Sequence, residues 1–80
     1  MTQKEFTQVL RENYGTKFKF IKKNGEERIA VGTLNFYSIP ESAIPAGAQT
    51  WEDPEDIVKY YDLEKSAWRS FRWDQFVEII

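Results

Sequence analysis

Apolar residues recur at three- and four-residue intervals near the start of the chain, then at two-residue intervals. Phe6, Val9 and Leu10 make one stripe of a helix read over Thr2 to Asn13. Thr2 with Glu5 fits a capping box, in which each side chain satisfies a free N–H of the first turn. Gly15 stands where a left-handed C-terminal cap is expected. A helix this short is not stable alone, so its stripe must pack on something.

Alternation takes over at Thr16. In the strand read over Thr16 to Lys23, Phe18 and Phe20 point one way and Lys17 and Lys19 the other. Asn24-Gly25 then predicts a tight type I′ hairpin, with positive φ at both central residues. The return strand, Glu26 to about Tyr37, carries Ile29, Val31 and Leu34. Gly32 and Thr33 disturb its alternation, which predicts a bulge or a sharp bend at a barrel corner. The stretch 38–55 holds all three prolines, Gly47 and Trp51, and reads as a long connection with little regular structure. Trp51 either folds back onto the core, the favoured placement, or stands out as a docking side chain. Strands follow over Asp56 to Glu64 and Ala67 to Trp73, joined by a turn near Glu64-Lys65-Ser66. "WDQF" predicts one tight helical turn, and Val77 to Ile80 a short last strand.

This order predicts a single domain over 1–80, mainly β (α+β): a short N-terminal helix and a five-stranded sheet closed into a small barrel. Composition agrees with a small core built from large side chains. Three Trp, four Tyr and six Phe compensate for the low buried fraction of an 80-residue chain. With no cysteine and no histidine, disulfides are excluded and a structural zinc site is not expected. The N-terminal segment is broken by charge and no apolar run is long enough to span a bilayer, so a cytoplasmic protein with no membrane partner is expected.

The formal net charge is −2. Its distribution says more than its sum. Lys17, Lys19, Lys22, Lys23 and Arg28 lie close together, and Lys17, Lys19 and Arg28 make a possible basic patch; a lysine-rich surface kept for solubility reads the same way. Glu52, Asp53, Glu55 and Asp56 form an acidic run. That run offers a weak cation site or an acid/base pair to a metal-dependent hydrolase, and equally a solvated loop. No histidine base, cysteine nucleophile or glycine-rich phosphate loop is present, so neither catalysis nor a cofactor is expected.

Binding chemistry remains. By two-residue alternation Trp68, Ser70 and Arg72 share an outward face, while Phe71 and Trp73, continued by Phe76, belong to the core. Arg69 falls at the barrel rim. Arginine forks suit phosphate or carboxylate, and aromatic faces suit bases. The plainer alternative is an exposed cation–π pair of Trp68 with Arg72 and a salt bridge to Asp62 or Asp74.

The stretch Tyr61-Asp62, a short charged turn, then Trp68-Arg69-Ser70-Phe71-Arg72-Trp73-Asp74 resembles the end of a WYL domain. With the lysine-rich first hairpin and the following "IPE", the chain is most similar to small stand-alone WYL-like proteins often encoded by phages. The name-giving Trp-Tyr-Leu triplet falls on Asp56-Ile57-Val58 and is not kept. The family's late Arg-Ile is Gln75-Phe76 here, one positive charge fewer. The resemblance implies an Sm-like, SH3-type barrel that acts as a ligand-sensing module for nucleotides or nucleic acids. It places the ligand-binding role on Arg69 and Arg72, with Tyr61 and Trp68 nearby. The expected partner is thus a nucleotide or single-stranded nucleic acid. The rival is a protein-interaction module, which blocks a host protein through the barrel surface and the 38–55 loop, or forms a homo-oligomer.

Overall fold

The computed structural model describes residues 1–80, except for the side chain of Gln49. Helix α1 (Gln3–Glu12) is followed by β1 (Thr16–Ile21), β2 (Glu27–Thr33), β3 (Ile57–Asp62), β4 (Ala67–Arg72) and β5 (Phe76–Ile79). The helix starts as its sequence directs. Thr2 Oγ1 accepts the Glu5 N–H at 3.1 Å and Glu5 Oε1 accepts the Thr2 N–H at 2.8 Å. The hydrogen bonds with Thr2 lower the Glu5 pKa below its ordinary value.

The helix does not end on Gly15. Its C-cap is Asn13 in an extended conformation. The free carbonyls of its last turn are taken by the end of β2 instead. Leu34 N–H donates to Leu10 O at 2.9 Å and the Thr33 hydroxyl to Asn13 O at 2.9 Å. Long-range donors and the Asn13 side chain, which donates to Val9 O, thus take the place of a left-handed cap. Gly15 serves a close approach: a Cβ there would lie 3.0 Å from Leu63 Cδ1.

All five strands form one antiparallel sheet in the order β4-β3-β2-β1-β5. A single 3₁₀ turn, Trp73–Gln75, joins β4 to β5, the two ends of that order. Flat, these strands would lie about 19 Å apart, four spacings of about 4.8 Å. A three-residue 3₁₀ turn advances only about 2 Å per residue. The sheet must therefore curl until its two edges approach, which makes the barrel. Phe20 on β1 stacks on Phe71 on β4 at 4.6 Å, although the two strands are not neighbours in the sheet. Phe6 of α1 packs against Phe18, Phe71, Trp73 and Phe76, with ring centroids 4.7–6.2 Å away. The helix thus supplies the aromatic that completes the core.

Two turn features differ from the sequence reading. In the β1–β2 hairpin Gly25 N–H donates to Lys22 O and Lys22 N–H to Glu26 O. Only Gly25 has positive φ, 85°. The loop is therefore three residues, Lys23 to Gly25, ending in a left-handed glycine, not a two-residue type I′ turn. Asn24 accepts the Glu26 N–H through its side chain instead of adopting positive φ. Of the bulge or sharp bend expected at Gly32, the bulge is absent: β2 pairs with β1 unbroken from Glu27 to Gly32, and with β3 at Gly32 and Thr33. The register shift lies between Lys19 and Phe20 where β1 meets β5. Gly32 is small because Tyr60 crosses it; an added Cβ would meet Tyr60 Cδ2 at 2.5 Å and Phe18 Cε1 at 3.2 Å. The same crowding sets which face of β2 is buried. Phe18 and Phe20 need small or flexible partners, and register gives them Ala30 and Arg28, while Ile29 turns outward opposite Lys19.

The 38–55 connection contains two 3₁₀ turns, Glu41–Ala43 and Ala48–Thr50. It covers the outer face of the β3–β4 hairpin. Trp68 Nε1–H donates to Ala43 O at 2.7 Å, and Trp51 meets Trp68 edge-to-face at 5.3 Å. Trp51 does fold back, but onto this outer aromatic layer and not into the barrel core. Lys59 Nζ lies 4.9 Å over its ring.

Candidate anion-binding cleft

The pairing of β3 with β4 sorts the predicted ligand residues onto two faces. Tyr61 is opposite Trp68, and Tyr60 is opposite Arg69. Tyr61 and Trp68 lie on the outer face, with rings edge-to-face at 5.6 Å. Tyr61 is only 4% exposed, and the indole N–H of Trp68 is spent on Ala43. Both residues clasp the 38–55 connection to the sheet. The structure does not bring them together with Arg69. The expected pairing of Trp68 with Arg72 is also absent among the described residues; the cation–π contact is Lys59 on Trp51.

Arg69 lies on the other face, at the rim of a cleft of about 630 Å³ between the β1–β2 hairpin and the end of β4. Phe20, Tyr60 and Phe71 line its apolar part. Five cations line it as well: Lys22, Lys23, Arg28, Arg69 and Arg72. No carboxylate is among the lining residues. Arg72 forms an exposed ion pair with Asp74 at 2.8 Å, and Lys22 a loose one with Glu26 at 4.0 Å. Neither Lys23 nor Arg69 has a carboxylate partner among the described residues. Exposed pairs such as Arg72–Asp74 contribute little and exchange readily.

Arg28 is held differently. One of its Nη2 hydrogens goes to Asp62 Oδ2, and Asp62 is fully buried. Asp62 Oδ1 accepts the Glu64 and Lys65 N–H groups, both at 2.9 Å. One carboxylate therefore folds the β3–β4 turn and fixes an arginine whose other donors remain for the cleft. The surrounding charges register on Tyr60, whose pKa is raised, foremost by burial. Asp62 adds to the rise, while Arg28 and Arg69 oppose it. All three charges thus lie within electrostatic range of that phenol.

The possible basic patch is divided in the same way. Lys17 and Lys19 alternate onto the outer face of β1, and Lys19 pairs with Glu27 at 3.4 Å. Only Arg28 belongs to the cleft. In the observed register Arg28 lies opposite Phe20, so the pairing that buries Phe20 also turns Arg28 inward. Lys22 and Lys23, at the start of the hairpin turn, line the cleft as well.

The family model described as WYL_2, Sm-like SH3 β-barrel fold, matches residues 3–77. No curated protein and no solved structure matches the chain. The matched span takes in α1, all the barrel strands except the end of β5, and every residue of the cleft, a construction that fits a small regulatory or binding module. By that match the chain belongs to the WYL_2 family of Sm-like, SH3-type β-barrels.

Proposed function

We propose that this protein is a non-catalytic regulatory module that binds a nucleotide-like ligand or single-stranded nucleic acid in the cleft. Arg28 and Arg69 grip a phosphate from two sides, and Lys23 and Arg72 extend the positive rim. The observation that carries this reading is the lining: five cations and no carboxylate on a chain of net charge −2. A concavity of one sign, with low-dielectric aromatic walls, concentrates an anion of opposite charge. Arginine forks match phosphate oxygens, and the apolar part suits a ring. The resemblance to small phage-encoded proteins of this family favours the host cytoplasm as its place of action.

Titration calorimetry with a single-stranded oligonucleotide and with cyclic nucleotides tests it. At least one of these binds, and Arg69→Ala weakens binding by roughly ten- to a hundredfold, the worth of a charged hydrogen bond. Trp68→Phe, which alters the opposite face, leaves affinity within about twofold. No binding of either ligand class, or equal binding by Arg69→Ala, overturns the assignment.

A further inference from the structure

A second concavity lies between α1 and the chain that leads into β3. It shares no lining residue with the cleft. Its walls are tied together at two places. Gln3 Nε2 donates to Pro54 O and Ile57 O, both at 3.0 Å, and Gln3 Oε1 accepts the Asp56 N–H at 3.1 Å. Arg11 Nη2 reaches both oxygens of Asp53, at 2.8 and 2.9 Å. On the helix these ties are about 12 Å apart, from residue 3 to residue 11 at about 1.5 Å per residue. Between them opens a groove of about 980 Å³. Two polar ties thus join the walls at its two ends.

The lining has a definite chemistry. Leu34, Phe36, Ala48 and Trp51 supply apolar surface, and Tyr37 stands at the mouth with 94% of its surface exposed. Glu52 and Glu55 line the wall without an ion-pair partner among the described residues, whereas Asp53 is occupied by Arg11. Of the two lining cations, Arg11 is consumed in that pair and only Lys4 remains. The Trp51 ring accepts a cation elsewhere on its surface, from Lys59, which is not part of the groove lining. The free carboxylates repel a nucleic acid and attract a cation beside an apolar side chain.

We propose that this groove is a docking site for a short extended segment of a partner protein, in which an apolar or aromatic side chain is flanked by lysine or arginine. The apolar residue enters between Leu34 and Trp51, and the flanking cations meet Glu52 and Glu55. The span between the ties holds three to four extended residues at about 3.3 Å each. The two concavities are then opposite in preference: the cleft takes an anion and the groove a cationic peptide.

The test is an amide and indole NMR titration of the whole chain with two pools of acetylated, amidated hexapeptides. One pool places Leu, Phe or Trp between Lys and Arg, and the other places them between Asp and Glu. The basic pool shifts Thr7, residues 34–37, Glu52, Asp53, Glu55 and the Trp51 indole, and leaves residues 22–25 and Arg69 unmoved. Glu52→Lys with Glu55→Lys, both exposed positions, weakens the basic pool at least tenfold while the fold and oligonucleotide binding persist. No shifts, equal binding of the acidic pool, or shifts centred on the cleft overturn the proposal. Shifts at the groove that depend on protein concentration without peptide also overturn it, since the occupant is then a second copy of this chain.

Discussion

Replacing Gly32 by alanine adds one methyl group at the most crowded point of the barrel. The new Cβ would lie 2.5 Å from Tyr60 Cδ2, 3.2 Å from Tyr60 Cε2 and 3.2 Å from Phe18 Cε1. The Tyr60 ring cannot simply retreat. It is fully buried, edge-on to Phe18 at 5.2 Å and to Phe71 at 6.0 Å. Overpacking of this kind costs about 1–3 kcal/mol. Backbone strain adds nothing, because Gly32 does not have positive φ. Alanine even restricts the unfolded chain, a gain of about 0.4–1 kcal/mol. A 2.5 Å contact belongs in the upper part of the overpacking range, so the net expectation is a loss of about 1–2 kcal/mol. In an 80-residue domain this lowers Tm by about 4–15 °C. Urea unfolding followed by tryptophan fluorescence measures it as a lower midpoint at unchanged m. Tyr60→Leu removes the atoms in the way, so the double variant should be more stable than the sum of the two single losses predicts. An alanine variant as stable as wild type, or strictly additive losses, would refute the packing argument. Gly25→Ala is the contrast: nothing lies within 4 Å of its Cβ, and its cost comes from positive φ alone.

Asp62→Ala strands Arg28 and two turn N–H groups, and should cost about 3–5 kcal/mol in urea unfolding. Asp62→Asn keeps an acceptor for the turn and should cost clearly less. Trp68→Phe removes the indole donor to Ala43 and should lose about 1 kcal/mol, with faster amide hydrogen exchange at Ala43 and Ile44 but not in β1. The raised Tyr60 pKa means that the folded state holds the phenolic proton more tightly than the unfolded chain does. The stability from that difference is complete below about pH 10 and is lost as pH rises through the folded value. The corresponding slope above pH 10 should be missing from Tyr60→Phe unfolding curves.

The local elements were legible because local rules determine them. The Thr2–Glu5 box, the alternation of Phe18 and Phe20, and the 3₁₀ turn at "WDQF" each depend on neighbours within about four residues. What could not be read depends on partners far along the chain. The cap expected at Gly15 is replaced by Thr33 and Leu34, about twenty residues away. Arg69 was placed at the rim correctly by alternation alone. Alternation separates Trp68 from Arg69; the family resemblance is what groups Trp68 and Tyr61 with it, and nothing local shows that residues 38–55 cover their outer face. The role of Arg28 rests on pairing with Asp62, 34 positions away, which no spacing rule reports.

The most direct test of the cleft is the salt dependence of oligonucleotide binding, measured for wild type and Arg69→Ala from low to physiological salt. Phosphate-led binding releases counterions, so log K falls with log salt by about 0.7 for each phosphate neutralised on a single strand. Wild type should show a steep slope, and Arg69→Ala one shallower by about 0.7. A flat wild-type slope, or the same slope in both proteins, would contradict a cleft built around Arg28 and Arg69.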